Sequence, residues 1–233
     1  MWSGPRNLST ALMRAFEARA DCEVWDEPFY AAYLAETGLD HPMADEVVEA
    51  GIRDPREVAE LCASQGGAAL RYQKHMTHHM LPGFPLGWAA SVRNAFLIRD
   101  PARVVASYDD RRAAPTAADL GYERQLALFA ELETLQGTPP PVIDADDLRR
   151  NPEATLCLLC EALGVGFDPA MLSWLPGPRA SDGVWGRHWY ASVEASTGFA
   201  PPGEPSHVPD RLRAVEAACR RWYEPLAERR LVA

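Results

Sequence analysis

The sequence predicts an α/β protein with a mostly parallel central sheet flanked by helices. Short β-prone runs alternate with helical stretches along the chain, the order that builds parallel sheets through crossover helices. The helix starts carry recognisable caps. The segments richest in reactive side chains fall where strands end, which is where open parallel sheets bind ligands.

The strand candidates are Cys22 to Trp25, Leu70 to Gln73, Ala95 to Ile98 and Pro141 to Ile143. A strand ahead of the first helix is reduced to Met1-Trp2. Helical patterns cover Ser9 to Arg19, Pro55 to Ser64, Ala102 to Arg112, Tyr122 to Gln136 and Pro152 to Leu163. Asp100-Pro101 and Asn151-Pro152 each place a capping side chain before a proline at the first helical position. Gly164 closes the helix that carries the stripe Leu156, Leu159, Leu163. The stretch from Pro209 to Arg230 reads as an amphipathic final helix.

A length of 233 residues is about one and a half times the ~150-residue domain prior, so a single domain over 1–233 is expected. Apolar residues make up 47% and charged residues 24%, the mix of a globular protein. A formal charge of −10 argues against nucleic acid as a partner, because that binding runs on cations neutralising phosphates. No apolar run approaches the roughly 18 residues that cross a bilayer, and no basic segment precedes an apolar leader. Cys22, Cys62, Cys157, Cys160 and Cys219 are odd in number and scattered, the usage of reduced thiols in a cytoplasmic protein. Cys157 and Cys160, alone on one apolar helix, read as core packing.

Two segments carry anion-binding chemistry. Trp2-Ser3-Gly4-Pro5-Arg6-Asn7-Leu8-Ser9-Thr10 runs into a helix N-terminus, where free amides and the helix dipole favour phosphate. Arg6 adds a charged fork, and Ser9 and Thr10 add hydroxyls. The Walker loop G-x-x-x-x-G-K-[ST] is absent. The second segment, Ala95 to Tyr108, delivers Arg99 at a strand end and Ser107 on the following helix.

Pro5-Arg6-Asn7-Leu8-Ser9-Thr10 resembles the 5′-phosphosulfate loop of the sulfotransferases that use 3′-phosphoadenosine 5′-phosphosulfate (PAPS). Arg99-Asp100-Pro101, Val104, Val105 and Ser107 resemble that family's 3′-phosphate motif, R-D-P-x-x-V-x-x-S. Asp146-Asp147-Leu148, Asn151-Pro152 and Leu163-Gly164 are similar to its later E-D-L…P…L-G pattern, and Asp182-Gly183-Val184-Trp185 to its G-x-W segment. The similarity runs from about residue 2 to about residue 190 and implies a three-layer P-loop-like fold. It implies that Arg6, Asn7, Leu8, Ser9 and Thr10 hold the 5′-phosphosulfate, and Arg99 and Ser107 the 3′-phosphate. Gly183 and Trp185 would lie near the cofactor, with Arg179 and Arg187 flanking them. The implied reaction moves a sulfuryl group from PAPS to a hydroxyl or amine of a small molecule, releases the 3′,5′-bisphosphate (PAP) and needs no metal. One departure stands out: Leu8 occupies the family's glycine place, where a side chain restricts positive φ.

A general base must take the acceptor's proton. Glu27, in Trp25-Asp26-Glu27-Pro28, is the favoured candidate, because bacterial and protein-tyrosine sulfotransferases are similar here. His75 is the rival, one residue out of register with the K-T-H of cytosolic members, and otherwise a lining residue of the acceptor pocket. Lys74 could stabilise the leaving phosphate or a sulfuryl oxygen. His75, His78 and His79 lack metal-site spacing. Loops at Tyr30 to His41 and Ala113 to Tyr122 are expected to build the acceptor pocket, and the sequence allows a homodimer. A P-loop kinase or nucleotide hydrolase, and an inactive nucleotide-binding protein of the same fold, are the competing readings.

Overall fold

The structure is a computed structural model that describes residues 1–109, 115–204 and 207–232. In chain order its strands and helices are β1 (Trp2–Ser3), α1 (Ser9–Glu17), β2 (Cys22–Asp26), α2 (Tyr30–Thr37), α3 (Ala44–Ala50), α4 (Pro55–Ala63) and β3 (Leu70–Met76). Then come β4 (Phe96–Ile98), α5 (Pro101–Asp109), α6 (Ala117–Leu120), α7 (Tyr122–Gln136), β5 (Val142–Asp144), α8 (Ala145–Arg150) and α9 (Pro152–Leu163). The chain ends through α10 (Gly186–Trp189), α11 (Ala191–Glu194) and α12 (Arg213–Ala227). Parallel strands alternating with helices are the α/β class the sequence predicts.

The chain divides into two compact units built from interleaved segments. The first comprises Met1, Thr10–Val92 and Asp168–Phe199. Its sheet pairs β2 and β3 in parallel, with Cys22 opposite Leu70 and Asp26 opposite Lys74. That register sets a carboxylate beside an ammonium at the strands' carboxyl ends. Phe16 of α1 stacks on Tyr72 of β3 with centroids 4.4 Å apart. Tyr30, Ala31, Leu34, Val47, Trp185 and Tyr190 form a second apolar cluster in this unit.

The second unit comprises Trp2–Ser9, Arg93–Phe167 and Ala200–Ala233. In it β4 lies between β1 and β5, both pairings parallel, with Ser3 opposite Leu97 and Ile98 opposite Asp144. Phe96, Leu97 and Ile98 are fully buried, as expected for a strand covered on both faces. Val104, Val105, Leu120, Tyr122, Leu212 and Cys219 pack together over it.

Elements with strong end signals fall where the sequence puts them. Both α7 and α9 match their expected spans; Asn151 caps α9 through its side chain, and Gly164 ends it at φ 67°. The expected helix over Ala102 to Arg112 starts one residue earlier, at Pro101, and its part at 110–112 lies outside the described residues. Residues 30–37 and 117–120, expected as loops, are α2 and α6, while residues 113–114 lie outside the described residues. Helix α2 is hidden in the sequence because Phe29 sits at its N-cap without a capping side chain. The final helix begins as a short 3₁₀ turn at Asp210–Leu212 before α12.

Candidate active site

The second unit holds the loop that leads from β1 to α1. Arg6 and Leu8 both adopt left-handed backbone, at φ 61° and 71°, a conformation that costs an ordinary residue about 1–2 kcal/mol. Leu8 therefore keeps the backbone shape of the glycine it stands for. Two hydrogen bonds hold the loop in place. Arg99 Nη1 donates to the Arg6 carbonyl at 2.7 Å, and Asn7 Nδ2 donates to the Leu97 carbonyl at 3.2 Å. Asn7 is 1% exposed, so its amide nitrogen pins the loop to β4. Gly4 is needed here because a Cβ would lie 3.1 Å from the Leu120 carbonyl oxygen.

Arg6 Nε donates to Ser107 Oγ at 3.1 Å. The structure thus brings Arg6, Arg99 and Ser107 together across 101 residues of sequence. Arg99 is anchored at its carbonyl by the Tyr122 hydroxyl at 2.8 Å. Its Nε is buried with no hydrogen-bond partner among the described residues. Burial lowers the Arg99 pKa, against the pull of Asp146. Asp146 itself receives Arg103 Nε at 2.7 Å. A half-buried guanidinium with an unused N–H and no bonded carboxylate fits an anionic ligand, since an uncompensated buried charge costs several kcal/mol. Ser9 opens α1 as a buried side chain, and Thr10 follows it half-buried.

The first unit holds an acid–base cluster at the ends of β2 and β3. Lys74 Nζ lies 2.8 Å from Asp26 Oδ1, 2.5 Å from Glu27 Oε1 and 2.7 Å from the Tyr190 hydroxyl. The Glu27 amide donates to the Lys74 carbonyl at 2.9 Å, extending the ladder one residue. Glu27 then turns at φ 43°, ahead of Pro28 and the start of α2. Burial raises the Glu27 pKa, opposed by Lys74 and reinforced by Asp26. Burial works to lower the Lys74 pKa, but Asp26 and Glu27 outweigh it and hold the ammonium well above its ordinary value. Glu27 is thus the carboxylate of this cluster whose protonated form burial favours, which suits it to take up a proton.

His79 Nδ1 lies 3.7 Å from Glu27 Oε2. Burial first, then His78, His41 and Lys74, drives the His79 pKa well down, which keeps its imidazole neutral. It stacks on Tyr30 at 4.3 Å and on Tyr33 at 4.8 Å. His75 lies inside β3, so strand alternation turns it to the face opposite Lys74. There it meets Gln73 Oε1 at 3.0 Å and packs against Phe29 and Trp88. Burial, then neighbouring positive charge including Lys74, lowers its pKa well below the usual histidine value.

The Asp182–Trp185 segment belongs to this cluster. Gly183 donates its amide to Asp26 Oδ2 at 3.3 Å, and the Trp185 indole donates to the Tyr190 hydroxyl at 3.0 Å. Arg14, 1% exposed, ties the segment down through Asp182 at 2.6 Å. The Arg179 guanidinium is engaged by the Leu175 carbonyl and lies 3.7 Å from Glu17 Oε2, and Arg187 donates to the Val184 carbonyl. Sequence reasoning weighed His79 only for a metal and gave Tyr190 no place beside Glu27. No spacing signal reveals their place beside Glu27, since Tyr190 is 116 residues from Lys74. Among the described residues no group of His, Cys, Asp or Glu side chains is arranged to hold a metal ion.

Parallel strands alternating with helices, with polar side chains gathered at strand ends, define an α/β protein of the class that carries its sites there. The chain belongs to the sulfotransferase domain family, whose pattern matches residues 1–229. Among solved structures it is similar to the sulfotransferase domain from the curacin biosynthetic pathway, at 15% identity and TM-score 0.54, covering 97% of this chain and 95% of that one. It is also similar to a sulfotransferase from Alicyclobacillus acidocaldarius, at 15% identity and TM-score 0.52, covering 99% of this chain and 96% of that one. At that identity the likeness shows the fold. Among curated proteins it is 41% identical over 202 residues to branched-chain-amino-acid aminotransferase-like protein 1 of Arabidopsis thaliana. It is 39% identical over 203 residues to that plant's protein 2. These matches cover 86% of this chain but only 36% of each plant protein.

Proposed function

We propose that this chain is an active sulfotransferase that moves a sulfuryl group from PAPS to a hydroxyl or amine of a small molecule. The observation that carries this reading is the convergence of Arg6, Arg99 and Ser107, with an Arg99 N–H left unused. Those residue types suit a ligand with two anionic groups, each guanidinium offering a charged fork and Ser107 a hydroxyl. In this reading Arg6, Leu8, Ser9 and Thr10 present the loop and helix amides to the 5′-phosphosulfate. Arg99 and Ser107 take the 3′-phosphate, and Asn7 keeps the loop in shape. Glu27 accepts the proton of the attacking hydroxyl as the new S–O bond forms. The bond from sulfur to the phosphate oxygen breaks, and PAP leaves with that electron pair. Transfer of this kind runs on positioning and on stabilising charge spread over peripheral oxygens.

The reading places the whole activity in a single domain, in the cytoplasm, with a small-molecule acceptor and neither nucleic acid nor membrane as partner. No described helix is long and apolar enough to cross a membrane.

Thermal unfolding with PAP, ADP, and ATP plus magnesium tests it. At a hundred times its Kd a ligand stabilises by about 2.7 kcal/mol, so selective stabilisation by PAP is expected. Arg99→Ala should abolish most of that preference while leaving the response to ADP largely intact. A preference for ATP with magnesium would overturn the assignment in favour of phosphoryl chemistry. No response to any of them would overturn it in favour of an inactive fold.

A further inference from the structure

Lys74 is where the polar groups of the first unit meet, and its hydrogens can be counted. An ammonium has three donors. They go to Asp26 Oδ1, Glu27 Oε1 and the Tyr190 hydroxyl, at 2.8, 2.5 and 2.7 Å. The side chain is 2% exposed. No N–H remains for a sulfuryl or phosphate oxygen, so in this arrangement Lys74 does not touch the reacting group.

The Tyr190 phenol is used just as fully. It accepts from Lys74 and from the Trp185 indole, and it donates to Asp26 Oδ2 at 2.6 Å. Indole and ammonium can only donate, so the phenolic proton has to point at a carboxylate. Its nearest one is Asp26; Glu27 Oε1 is 3.5 Å away. Asp26 is further satisfied by the Gly183 amide. Gly183 also lets the indole close in, because a Cβ there would lie 2.1 Å from the Trp185 ring. Every bond in the network therefore has one allowed direction.

We propose that Tyr190, keyed by Trp185, is a positioning residue for the base: it satisfies Asp26 and takes one Lys74 proton, which leaves Lys74 pressed against Glu27. This rests on Glu27 being the base. Without the phenol, Asp26 loses a donor and competes harder for Lys74, and Glu27 loses its share of the ammonium. The groups facing Glu27 are Lys74, Asp26, Tyr190 and His79. Neither remaining neighbour makes good the loss: His79 Nδ1 lies 3.7 Å from Glu27 Oε2, beyond a hydrogen bond, and Asp26 competes for Lys74.

The test is Tyr190→Phe, which keeps the ring and deletes the hydroxyl. Carboxyl-carbon NMR, with the Glu27 signal assigned by its loss in Glu27→Gln, follows the titration of Glu27 whether or not any acceptor is known. The expected result is a Glu27 titration moved to higher pH in Tyr190→Phe. Trp185→Phe should move it the same way by less, and it gives the readout should Tyr190→Phe not fold. With an acceptor in hand, the acid limb of kcat/KM should move together with the NMR titration. The loss of kcat at neutral pH should be about 10- to 100-fold, the usual effect of deleting a hydrogen bond to a charged group. PAP affinity should be unchanged. A Glu27 titration unmoved in both variants would overturn the proposal, even if kcat fell evenly at every pH. If Glu27 moves as expected but Glu27→Gln still turns over normally, the positional coupling stands and Glu27 as base falls.

Discussion

Glu27 joins two properties that rarely meet in one carboxylate: it is buried against a permanent cation, and its proton is held more tightly than in water. The folded protein binds that proton better than the unfolded chain, whose carboxyl sits near the ordinary value of 4.5. Glu27 therefore adds stability as pH falls from its raised value towards 4.5, and its ionised form costs stability above that window. The proposed role as base needs the ionised form, so activity should fall over the range in which stability gains. Glu27→Gln should cut turnover by about 10²–10⁴-fold with PAP affinity spared. It should not lower the unfolding temperature at neutral pH, because Asp26 still holds Lys74. A pH–rate profile and a melting curve on the one variant check both parts. Glu27 was legible in the sequence as a charged residue before a proline at a strand end. Its neighbours Tyr190 and His79 were not, because sequence distance hides a contact that only the folded strands and the 3₁₀ turn at Thr77–His79 create.

At the scale of elements, the connection from β1 to α1 is the one that departs from its own sequence preference. A leucine held at φ 71° gives up about 1–2 kcal/mol. Leu8→Gly relieves that cost but loses a half-buried side chain and adds backbone entropy to the unfolded chain. These effects offset one another, so the variant should stay within about 1 kcal/mol of the parent. Leu8→Val keeps apolar character but branches at Cβ, where left-handed backbone is least tolerated. It should lose about 1–3 kcal/mol, and denaturant unfolding of the pair distinguishes backbone shape from hydrophobicity as the quantity that matters. Elements whose ends carry explicit chemistry were legible: Asn151 and Gly164 bracket α9, and Gly137 ends α7 at φ 71°. Helices α2 and α3 were not, because Phe29 and Met43 stand at their N-caps with no capping side chain. There, tertiary burial supplies what local signals do not: Tyr30 and Leu34 of α2 and Val47 of α3 share one apolar cluster.

For the whole molecule, the two units are each wound from segments distant in sequence, and neither is a continuous stretch of chain. Strand–helix alternation crossed that discontinuity and made the fold class readable, whereas composition alone reached only as far as a globular protein. The cysteine reading can be tested on the intact chain. None of the five is in a disulfide; Cys62, Cys160 and Cys219 are buried, and Cys22 and Cys157 half-buried. Burial pushes the thiols of Cys22 and Cys219 up to about 11 and that of Cys62 up to about 12. Since the thiolate is the reactive species, a thiol reagent at neutral pH should modify the native protein slowly. Five equivalents should react at once in denaturant, and reductant should leave the melting temperature unchanged. A fast native reaction of more than one thiol would contradict the packing described.

Among the described residues, the non-glycine positions with left-handed backbone are Arg6, Leu8, Glu27 and Met43. Strain of this kind persists only where the surroundings enforce it, and it gathers at working sites. A laboratory population of this protein bred for heat resistance alone would meet these positions early, since glycine or asparagine relaxes each of them. Leu8 could be surrendered at little cost, because its strain and its half-buried side chain offset one another and the proposed reaction uses only its backbone. Arg6 and Glu27 could not, as their charges go with the strain. Breeding for toughness would thus drift towards a sturdier protein with an empty trade, and keeping the substrate present during selection is what would hold the lineage to its chemistry.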